Sequence, residues 1–467
     1  MSATALPPLS PGPLDERTRR RDQRAWCWYD WANSVFPTSI VTVFGSLYLT
    51  AVARNDALSS GQSCPTPNAL VDCTISLFGL SFPAGALFDY LLSASTLVQV
   101  LLLPLTGAIA DRTQHKRWML GLFAFTGAAA TALLALVSGT NWRLGVALFI
   151  VASTGYYASV VIYYSVLPEI ATADERDGLS TRGWALGYLG GGLALALNLV
   201  IYLGRGFLGL SEPAAVRVCF LTAGLWWAFF TLIPLSRLRR YQPPQGAERG
   251  VSVLAGGFRQ LRMTLREARR YPLTLGFLVA YLIYTDGIST VASVAGQYGA
   301  LELGLPNSTL IGTILLVQFV AFGGALLHGA VARRIGAKRT IMGSLLVWVA
   351  VITAAYFIRA GDQAQFYAVA IGIGLVLGGT NALSRSLFSQ LVPAGKEAEY
   401  FSVYEIGEQA TSTVGPLLFG AIGAATGSFR PAILSVVAFF LIGFVLVSLV
   451  PVRRAIRAVG NPEPAVI

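Results

Sequence analysis

Long runs of apolar residues, separated by short polar segments, dominate the amino-acid sequence. A helix needs about 20 mostly apolar residues to cross the hydrocarbon core of a bilayer. Twelve stretches reach that length: 31–53, 84–110, 118–138, 144–168, 184–204, 217–236, 272–297, 308–331, 340–358, 365–392, 400–425 and 431–451. The pattern predicts an all-α polytopic membrane protein with twelve transmembrane helices.

The composition excludes a water-soluble enzyme. Of the 467 residues, 54% are apolar and only 12% are charged, whereas a soluble domain carries about 25% charged residues. So little charge cannot cover a surface that faces water. Two histidines and four cysteines are too few for a His-based metal centre or a disulfide-rich scaffold, so we expect no metal and no cofactor.

The positions of the basic residues orient the helices. Cytoplasmic loops carry an excess of Lys and Arg, and 27 of the 34 Lys and Arg residues fall on the face that both termini share. The opposite face holds Arg54, Arg143, Arg205, Arg217, Arg359 and Arg430, and Arg385 lies within a span. We expect a protein of the plasma (inner) membrane with cytoplasmic termini. Because the basic residues do not cluster on a soluble module, nucleic acid is not an expected partner.

A basic linker divides the chain into two sets of six spans, 26–236 and 272–451. Residues 1–25 are expected to be a disordered basic segment without a removable signal peptide, and 452–467 a cytoplasmic tail. Within the linker, 237–271, four apolar residues fall at helical spacing: Leu254, Phe258, Leu261 and Leu265. The other faces of this helix carry Arg259, Arg262, Arg266 and Arg269. Such an amphipathic helix can lie on anionic lipid at the cytoplasmic face, or it can be a simple tether.

An internal repeat relates the two halves. The segment 107–117, after the second span, and the segment 329–339, after the eighth, share six of eleven residues at an offset of 222. Each segment follows the second span of its own set of six. Two six-helix bundles in parallel repeat are the layout of major facilitator transporters.

Two motif sets carry a family resemblance. Gly107, Asp111, Arg112, Lys116 and Arg117 resemble the signature loop of the major facilitator superfamily, although Gln114 replaces its usual second Gly and Arg333 occupies the acidic position of the second copy. The run Tyr29-Asp30-Trp31-Ala32-Asn33-Ser34 resembles the opening motif of the vacuole-effluxer family, as do stretches at 183–191, 284–287, 381–388 and 405–416. That family's best-known members are autophagy-related vacuolar amino-acid exporters. The resemblance implies export of small amphipathic solutes such as amino acids.

Charged residues within the spans are the first candidates for function, because a charge at bilayer depth usually faces a cavity or a partner. Asp286 lies near the middle of the seventh span, where a carboxyl group suits proton coupling; the alternative is an acid that is hydrogen-bonded to neighbouring helices. Glu405 and Glu408 share one helical face. An unpaired buried Arg is very costly, so we expect Arg385 to pair with one of these glutamates, as an inner gate or as a structural staple.

Polar residues near the inner ends of the spans are further candidates for the cavity and its gate. Asp30 and Asn33 lie one turn apart and either cap the start of their helix or line the cavity. Tyr157, Tyr163 and Tyr164 offer hydroxyl groups on an apolar wall, or serve as packing, and Asn381 belongs to a family-like stretch. Asp111 and Arg112 are expected to form part of the inner gate by meeting a helix of the other half; the alternative is a loop that only sets topology.

The loop between the first two spans contains Cys64 and Cys73. If the topology holds, both thiols face an oxidising compartment and can form a disulfide, although the two intervening prolines could also hold them apart. Cys27 and Cys219 lie near opposite membrane faces and are expected to stay free.

These observations predict a secondary transporter that works by alternating access, exporting amino acids or similar solutes, with proton coupling as an option. We expect a monomer whose partners are a small-molecule substrate and the lipid bilayer. Two alternatives remain open. One is a polytopic lipid-modifying enzyme, for which Asp89 is the isolated candidate carboxyl. The other is a receptor or scaffold that retains a transporter fold without transport.

Overall fold

The computed structural model describes residues 16–64, 73–77, 79–113, 115–238 and 257–467. Gln114 and Leu254 lie outside the described residues, as do residues 1–15 of the predicted N-terminal segment. The first half contains α1 (Glu16–Asn33), α2 (Ser46–Ser59), α3 (Leu87–Arg112), α4 (Lys116–Leu133), α5 (Trp142–Ile170), α6 (Arg176–Leu203) and α7 (Glu212–Arg237). A π-helical segment, Phe36–Gly45, joins α1 to α2, so that both belong to one crossing.

After the linker helix α8 (Gly257–Ala268), the second half repeats this arrangement. It contains α9 (Pro272–Gln297), α10 (Asn307–Ile335), α11 (Ala337–Tyr356), α12 (Gln363–Leu391), α13 (Glu397–Thr411), α14 (Val414–Thr426), α15 (Phe429–Ser435) and α16 (Val437–Leu449). A final short helix, α17 (Val452–Ala458), precedes the C-terminal tail. The chain therefore has an all-α polytopic membrane fold, as the apolar pattern predicts.

Eleven helices in the described part of the chain are long and apolar enough to cross a membrane. The remaining predicted span, 400–425, is divided between α13 and α14. Pro416 gives the physical reason, because proline lacks an N–H group and its ring clashes with the carbonyl group four residues earlier. A continuous helix would place that clash at Ser412, where α13 has just ended.

The structure corrects one expectation about the segments outside the spans and adds detail to another segment. Residues 16–25, predicted as disordered, form the first turns of α1, which begins at Glu16. The loop after α2 contains a short antiparallel hairpin, β1 (Thr74–Leu77) and β2 (Leu80–Pro83). A disulfide joins Cys64 to Cys73, with the two Cα atoms 5.4 Å apart, and Cys27 and Cys219 are free and buried.

The two halves pack through equivalent helices, which gives the sequence repeat a structural meaning. In the first half α3 packs on α13, and in the second half α10 packs on α6. The repeated glycine lies at each contact: a Cβ atom on Gly107 would come within 2.5 Å of the Ala398 carbonyl oxygen, and one on Gly329 would meet the Thr181 hydroxyl group. Helices that approach so closely need the smallest residue.

We name the two membrane faces by their residues. The basic face is the one at which α3 ends and α4, α6 and α11 begin, with Arg112, Lys116, Arg176 and Lys338. The disulfide face is the opposite one, with Cys64 and Cys73. Along the spans between these faces, exposed large side chains such as Leu97, Val200 and Leu449 are apolar, as a lipid-facing surface requires.

Candidate functional site

A cavity of about 280 Å³ lies between the two halves. Both halves line it with polar and aromatic side chains, among them Asp30, Asn33, Tyr156, Tyr157, Tyr164, Trp184, Tyr188, Tyr281, Gln318, Asn381, Tyr404, Glu405, Glu408 and Gln409. A larger hollow of about 730 Å³ runs along α4 and is lined mainly by apolar residues such as Leu122 and Phe125. Both of these side chains are exposed on the outside of the bundle. The central cavity, with its convergent polar groups, is therefore the candidate site.

Helix α1 supplies the cavity floor through its last turns. Asp30 and Asn33 are buried and line the cavity. Because α1 begins at Glu16, neither residue caps a helix start, which removes one of the two sequence interpretations. The π-helical segment that follows carries Pro37, Thr38 and Thr42 along the same wall. Wide turns of this kind are frequent at functional sites.

Arg385 forms an ion pair with Asp30, across the boundary between the halves. The distance from Arg385 Nη1 to Asp30 Oδ2 is 3.2 Å, and the Arg385 side chain is fully buried. The Tyr163 hydroxyl group also donates a hydrogen bond to Asp30 Oδ2, at 2.7 Å. The expectation that Arg385 pairs with Glu405 or Glu408 is therefore wrong. A buried guanidinium group requires a partner, and the partner is an acid of the other half.

The remaining contacts of Arg385 also come mostly from the first half. Its Nε donates to the Ser180 hydroxyl group and its Nη2 to the Ser180 carbonyl oxygen, both at 2.9 Å. Its guanidinium carbon lies 4.8 Å from the ring centre of Trp26 and 4.7 Å from that of Tyr164. Such cation–π contacts stabilise a charge that has been removed from water. Arg385 and Tyr163, both predicted to line the cavity, instead lie in this layer beside it.

A second layer of contacts between the halves lies closer to the basic face. Arg176 Nη1 donates to the Ser389 carbonyl oxygen at 2.9 Å. The Ser386 hydroxyl group donates to Asp177 Oδ1 at 2.5 Å, and Ser180 Oγ donates to the Ala382 carbonyl oxygen at 2.6 Å. All these bonds join the start of α6 to the end of α12. Together they hold the two helices in contact on the basic side of the cavity.

Asp111 meets a helix N-terminus of the other half. Its two carboxylate oxygens accept hydrogen bonds from the backbone N–H groups of Ala398 and Glu399, at 3.0 and 2.9 Å. These N–H groups belong to the first turn of α13, which has no intrahelical partners for them and carries a partial positive charge. Lys116 lies 3.3 Å from Asp111, and Arg112 lies 3.7 Å from Glu399.

The other members of the predicted gate loop take supporting positions. Lys116 Nζ also binds Glu169 at 2.7 Å, and Arg117 donates to the Leu238 carbonyl oxygen at 3.2 Å. These contacts hold the start of α4 against its own half. Gly107 permits the close approach of α3 to α13. Asp111 and Arg112 of the loop thus contact the second half, whereas Lys116 and Arg117 bind it to the first half.

The linker helix α8 lies against the same junction. The Thr264 hydroxyl group is buried and donates to Glu399 Oε2 at 3.1 Å, and Lys396 forms an ion pair with Glu267. Arg262, Arg266 and Arg269 are exposed. The helix therefore contacts the second half through Thr264 and Glu267 and presents these three arginines to its surroundings.

The C-terminal tail is a further bridge between the halves. Asn461 Nδ2 donates to the carbonyl oxygens of Gln390 and Val392, at 2.8 and 2.7 Å, in the second half. Four residues later, the backbone N–H of Ala465 donates to Asp174 Oδ1 at 2.6 Å, in the first half. Like the contacts of Arg385, Arg176 and Asp111, this bridge lies on the basic side of the cavity.

Glu405 and Glu408 face the cavity from α13, with different surroundings. Glu408 accepts a hydrogen bond from the Tyr281 hydroxyl group. Glu405 is buried, at 4% exposure, and within the described part of the chain no residue donates a hydrogen bond to it. The ring of Tyr281 stacks on that of Tyr404, with centroids 4.0 Å apart.

Asp286 does not line the cavity. Its carboxylate accepts a hydrogen bond from the backbone N–H of Gly415, at 3.1 and 3.2 Å from its two oxygens. Gly415 is the second residue of α14, so Asp286 caps the helix that follows the break in the eleventh span. This geometry matches the alternative interpretation, an acid hydrogen-bonded to a neighbouring helix.

Seven of the nine predicted cavity residues line the cavity: Asp30, Asn33, Tyr157, Tyr164, Asn381, Glu405 and Glu408. Sequence reasoning missed the aromatic residues Trp184, Tyr188, Tyr281 and Tyr404, which complete the walls. Trp184 and Tyr188 lie one turn apart within the family-like stretch 183–191, and Tyr404 immediately precedes Glu405. Their distance along the chain from the predicted polar cavity residues was the sequence signal that could have identified them.

The chain matches the family described as "Vacuole effluxer Atg22 like" over residues 18–460. The MFS-type transporter YxiO of Bacillus subtilis (strain 168) is 28% identical over 434 residues, covering 92% of this chain and 95% of that protein. Autophagy-related protein 22-1 of Aspergillus niger is 24% identical over 567 residues, covering 97% of this chain and 91% of that protein.

Solved structures of major facilitator superfamily transporters share the fold. FucP in the outward conformation has a TM-score of 0.65 at 12% identity, covering 92% of this chain and 99% of its own. The proton:xylose symporter XylE has a TM-score of 0.67 at 13% identity, covering 93% and 96%. The human organic anion transporter MFSD10 has a TM-score of 0.64 at 17% identity, covering 92% and 99%. At these low sequence identities, the structural similarity shows that the fold is shared and no more.

Proposed function

The chain belongs to the vacuole effluxer Atg22-like family of major facilitator transporters, and we propose that it moves small amphipathic solutes, such as amino acids, by alternating access to the cavity between its halves. It is a multi-pass membrane protein and not an enzyme. Asp89, on which the enzyme alternative depended, is exposed in the first turn of α3 and outside the cavity.

The placement of the contacts between the halves supports alternating access. Hydrogen bonds and ion pairs join the halves on the basic side of the cavity, at Asp30, Asp111 and Asp177. A transporter that alternates must hold one side shut by contacts that can be exchanged for others. Polar contacts suit this purpose because water can replace them when the layer opens.

We also propose an orientation and a location for the protein. The basic face is the cytoplasmic face of the inner membrane, because Lys and Arg concentrate there, and both termini lie on that side. The exposed arginines of α8 contact anionic lipid at this surface, and the protein acts as a monomer. Export then requires the layer around Arg385 and Asp30 to open toward the cytoplasm, where it receives the solute. Proton coupling supplies the driving force.

A reversible disulfide cross-link between the two halves tests alternating access. The side chains of Asp177 and Ser386 meet across the halves at 2.5 Å, so the double variant Asp177→Cys/Ser386→Cys should form a cross-link under oxidation. In proteoliposomes, counterflow of a solute found by thermal-shift screening should stop in the oxidised double variant. The two single-cysteine variants, treated identically, should retain it. Undiminished counterflow in a fully cross-linked protein would contradict the proposed mechanism.

A further inference from the structure

We propose that the cavity recognises its solute through a protonated amino group, with Glu405 as the principal counter-ion, and that a carboxylate on the solute is not required. The substrate class is then small organic ammonium ions with an aromatic or apolar body. This inference rests on the proposed transport function and narrows it, because an amino acid would be bound through its ammonium group alone.

The charge of the cavity is the first reason. The charged side chains that line it are Asp30, Glu405 and Glu408, and its lining within the described residues contains no Lys, Arg or His. Arg385 neutralises Asp30 through their ion pair. Within the described part of the chain, Glu405 and Glu408 form no ion pair, and a cation is the ligand that balances their charge.

The surroundings of Glu405 are the second reason. Glu405 is 4% exposed and receives no hydrogen bond within the described part of the chain, whereas Glu408 has the Tyr281 hydroxyl group as a donor. The Glu405 carboxylate lines the cavity, so a ligand there can supply the donor that the protein does not. The Asn381 side-chain oxygen is buried and without a partner in the same wall. An ammonium group has three N–H donors, which suits a site with several unused acceptors.

Other titratable and charged groups face this pair of glutamates from each neighbouring helix. They are Asp30 on α1, Tyr156, Tyr157 and Tyr164 on α5, Tyr188 on α6, Tyr281 on α9 and Tyr404 on α13, with Arg385 on α12 held behind Asp30. The tyrosines are neutral donors or acceptors at neutral pH. Arg385 is therefore the sole guanidinium among these groups, and its Asp30 contact occupies it.

The aromatic walls are the third reason. The rings of Trp184 and Tyr188 lie 5.7 Å apart, those of Tyr164 and Tyr404 lie 6.4 Å apart, and Tyr281 stacks on Tyr404. Aromatic faces attract cations and also pack against flat apolar groups. At about 280 Å³ the cavity admits a small metabolite. An ammonium group on a compact aromatic body satisfies both kinds of surface.

Three matched probes test this inference: 2-phenylethylamine, phenylalanine and 3-phenylpropionate, measured by calorimetry on the purified protein in nanodiscs. The amine should bind, phenylalanine should bind about tenfold or more weakly because its carboxylate faces Glu405 and Glu408, and the acid should not bind. Each tenfold step corresponds to about 1.4 kcal/mol. Binding of phenylalanine more tightly than the amine, or no binding of the amine, overturns the inference.

Variants identify the counter-ion. Glu405→Gln should weaken amine binding about tenfold or more, since a charge-assisted contact is lost. Glu405→Asp should retain part of the affinity, which separates loss of charge from misfolding. Asp89→Asn, which removes an exposed carboxyl outside the cavity, should leave binding unchanged. Equal amine affinity in wild type and Glu405→Gln overturns the assignment.

These experiments distinguish failure of the alternating-access proposal from failure of the ammonium-recognition inference. If phenylalanine undergoes counterflow that the 177–386 cross-link stops, while the amine neither binds nor exchanges, transport stands and the ammonium inference is wrong. If the amine binds with the predicted dependence on Glu405, but cross-linking leaves its counterflow unchanged, the recognition is right and alternating access is wrong.

Discussion

Arg385 and Asp30 lie 355 residues apart in the chain and form a buried ion pair, with Nη1 and Oδ2 3.2 Å apart. One residue comes from each half, so the pair exists only when the halves meet on the basic side of the cavity. Tyr163 and Ser180 hold the two ends of the pair through hydrogen bonds. The same contact therefore neutralises two buried charges and joins the two halves on the basic side of the cavity.

Removal of the Asp30 charge should destabilise this closed arrangement. Breaking one partner of a buried ion pair typically costs about 3–5 kcal/mol, because the other charge is left buried without compensation. Asp30→Asn should lower the thermal stability and increase the labelling of a single cysteine placed in the cavity from the basic face. Asp89→Asn is the control for loss of an exposed carboxyl. Unchanged labelling and stability in Asp30→Asn would show that the pair does not hold the gate.

Gly183 gives a test that leaves both charges in place. A Cβ atom at Gly183 would lie 2.5 Å from Asp30 Oδ2 and 3.1 Å from Arg385 Nη2, so Gly183→Ala should displace the ion pair and weaken closure. Gly276→Ala is the matched control, because nothing lies within 4 Å of its Cβ position. The control should be neutral or stabilising by about 0.5–1 kcal/mol, as Ala favours a helix over Gly. Similar unfolding and labelling of the two variants would contradict this.

Asp111→Ala should open the basic face, because Asp111 caps α13 from the other half. Loss of a cap costs about 1 kcal/mol, which shifts an equilibrium between two states about fivefold. Asp362→Ala is the matched control: Asp362 caps α12 within its own half, by accepting from the Gln365 N–H at 3.0 Å. Both variants should lose stability, and only Asp111→Ala should gain cysteine labelling from the basic face. Equal labelling would favour the purely topological role of the loop.

Asp286 should behave as a helix cap in a substitution series. Asn retains a side-chain acceptor for the Gly415 N–H, so Asp286→Asn should nearly preserve stability, whereas Asp286→Ala should lose about 1 kcal/mol. Solute accumulation driven by a pH gradient should persist in Asp286→Asn. The proton-coupling role expected from its depth in the span predicts the opposite, loss of accumulation with exchange intact. Proteoliposomes with and without a pH gradient distinguish the two.

The disulfide between Cys64 and Cys73 should stabilise the hairpin that follows α2. A cross-link over a sequence separation of nine contributes about 2–3 kcal/mol in the chain-entropy description. Cys64→Ser/Cys73→Ser should therefore unfold at a lower temperature than the wild type. Without reductant, alkylation followed by mass measurement should modify neither thiol in the native protein or after denaturation. Alkylation of both would show that the bond is absent.

The sequence by itself determined the all-α polytopic fold, the positions of most spans and the repeated glycines. Each of these depends on one stretch of chain: the length of an apolar run, the side of the membrane that basic residues prefer, or the spacing within a short motif. It also indicated how deep Asp30, Glu405 and Asp111 lie relative to the bilayer. Depth follows from counting residues along a helix, because each residue adds about 1.5 Å.

Only the tertiary structure decided which groups meet. Depth does not reveal how each helix is rotated or which helix of the other half lies opposite. Arg385 and the glutamates of α13 lie at similar depth, yet Arg385 points toward Asp30 because α12 packs on α6 and brings Ser180 and Asp30 to its side. Likewise, Asp286 is near the centre of its span, but the break before Pro416 exposes an N–H group that captures its carboxylate. Glu405 faces the cavity without a donor for the same reason. Packing between segments that are distant in the chain determines which side chains are in contact, and no local sequence pattern encodes this packing.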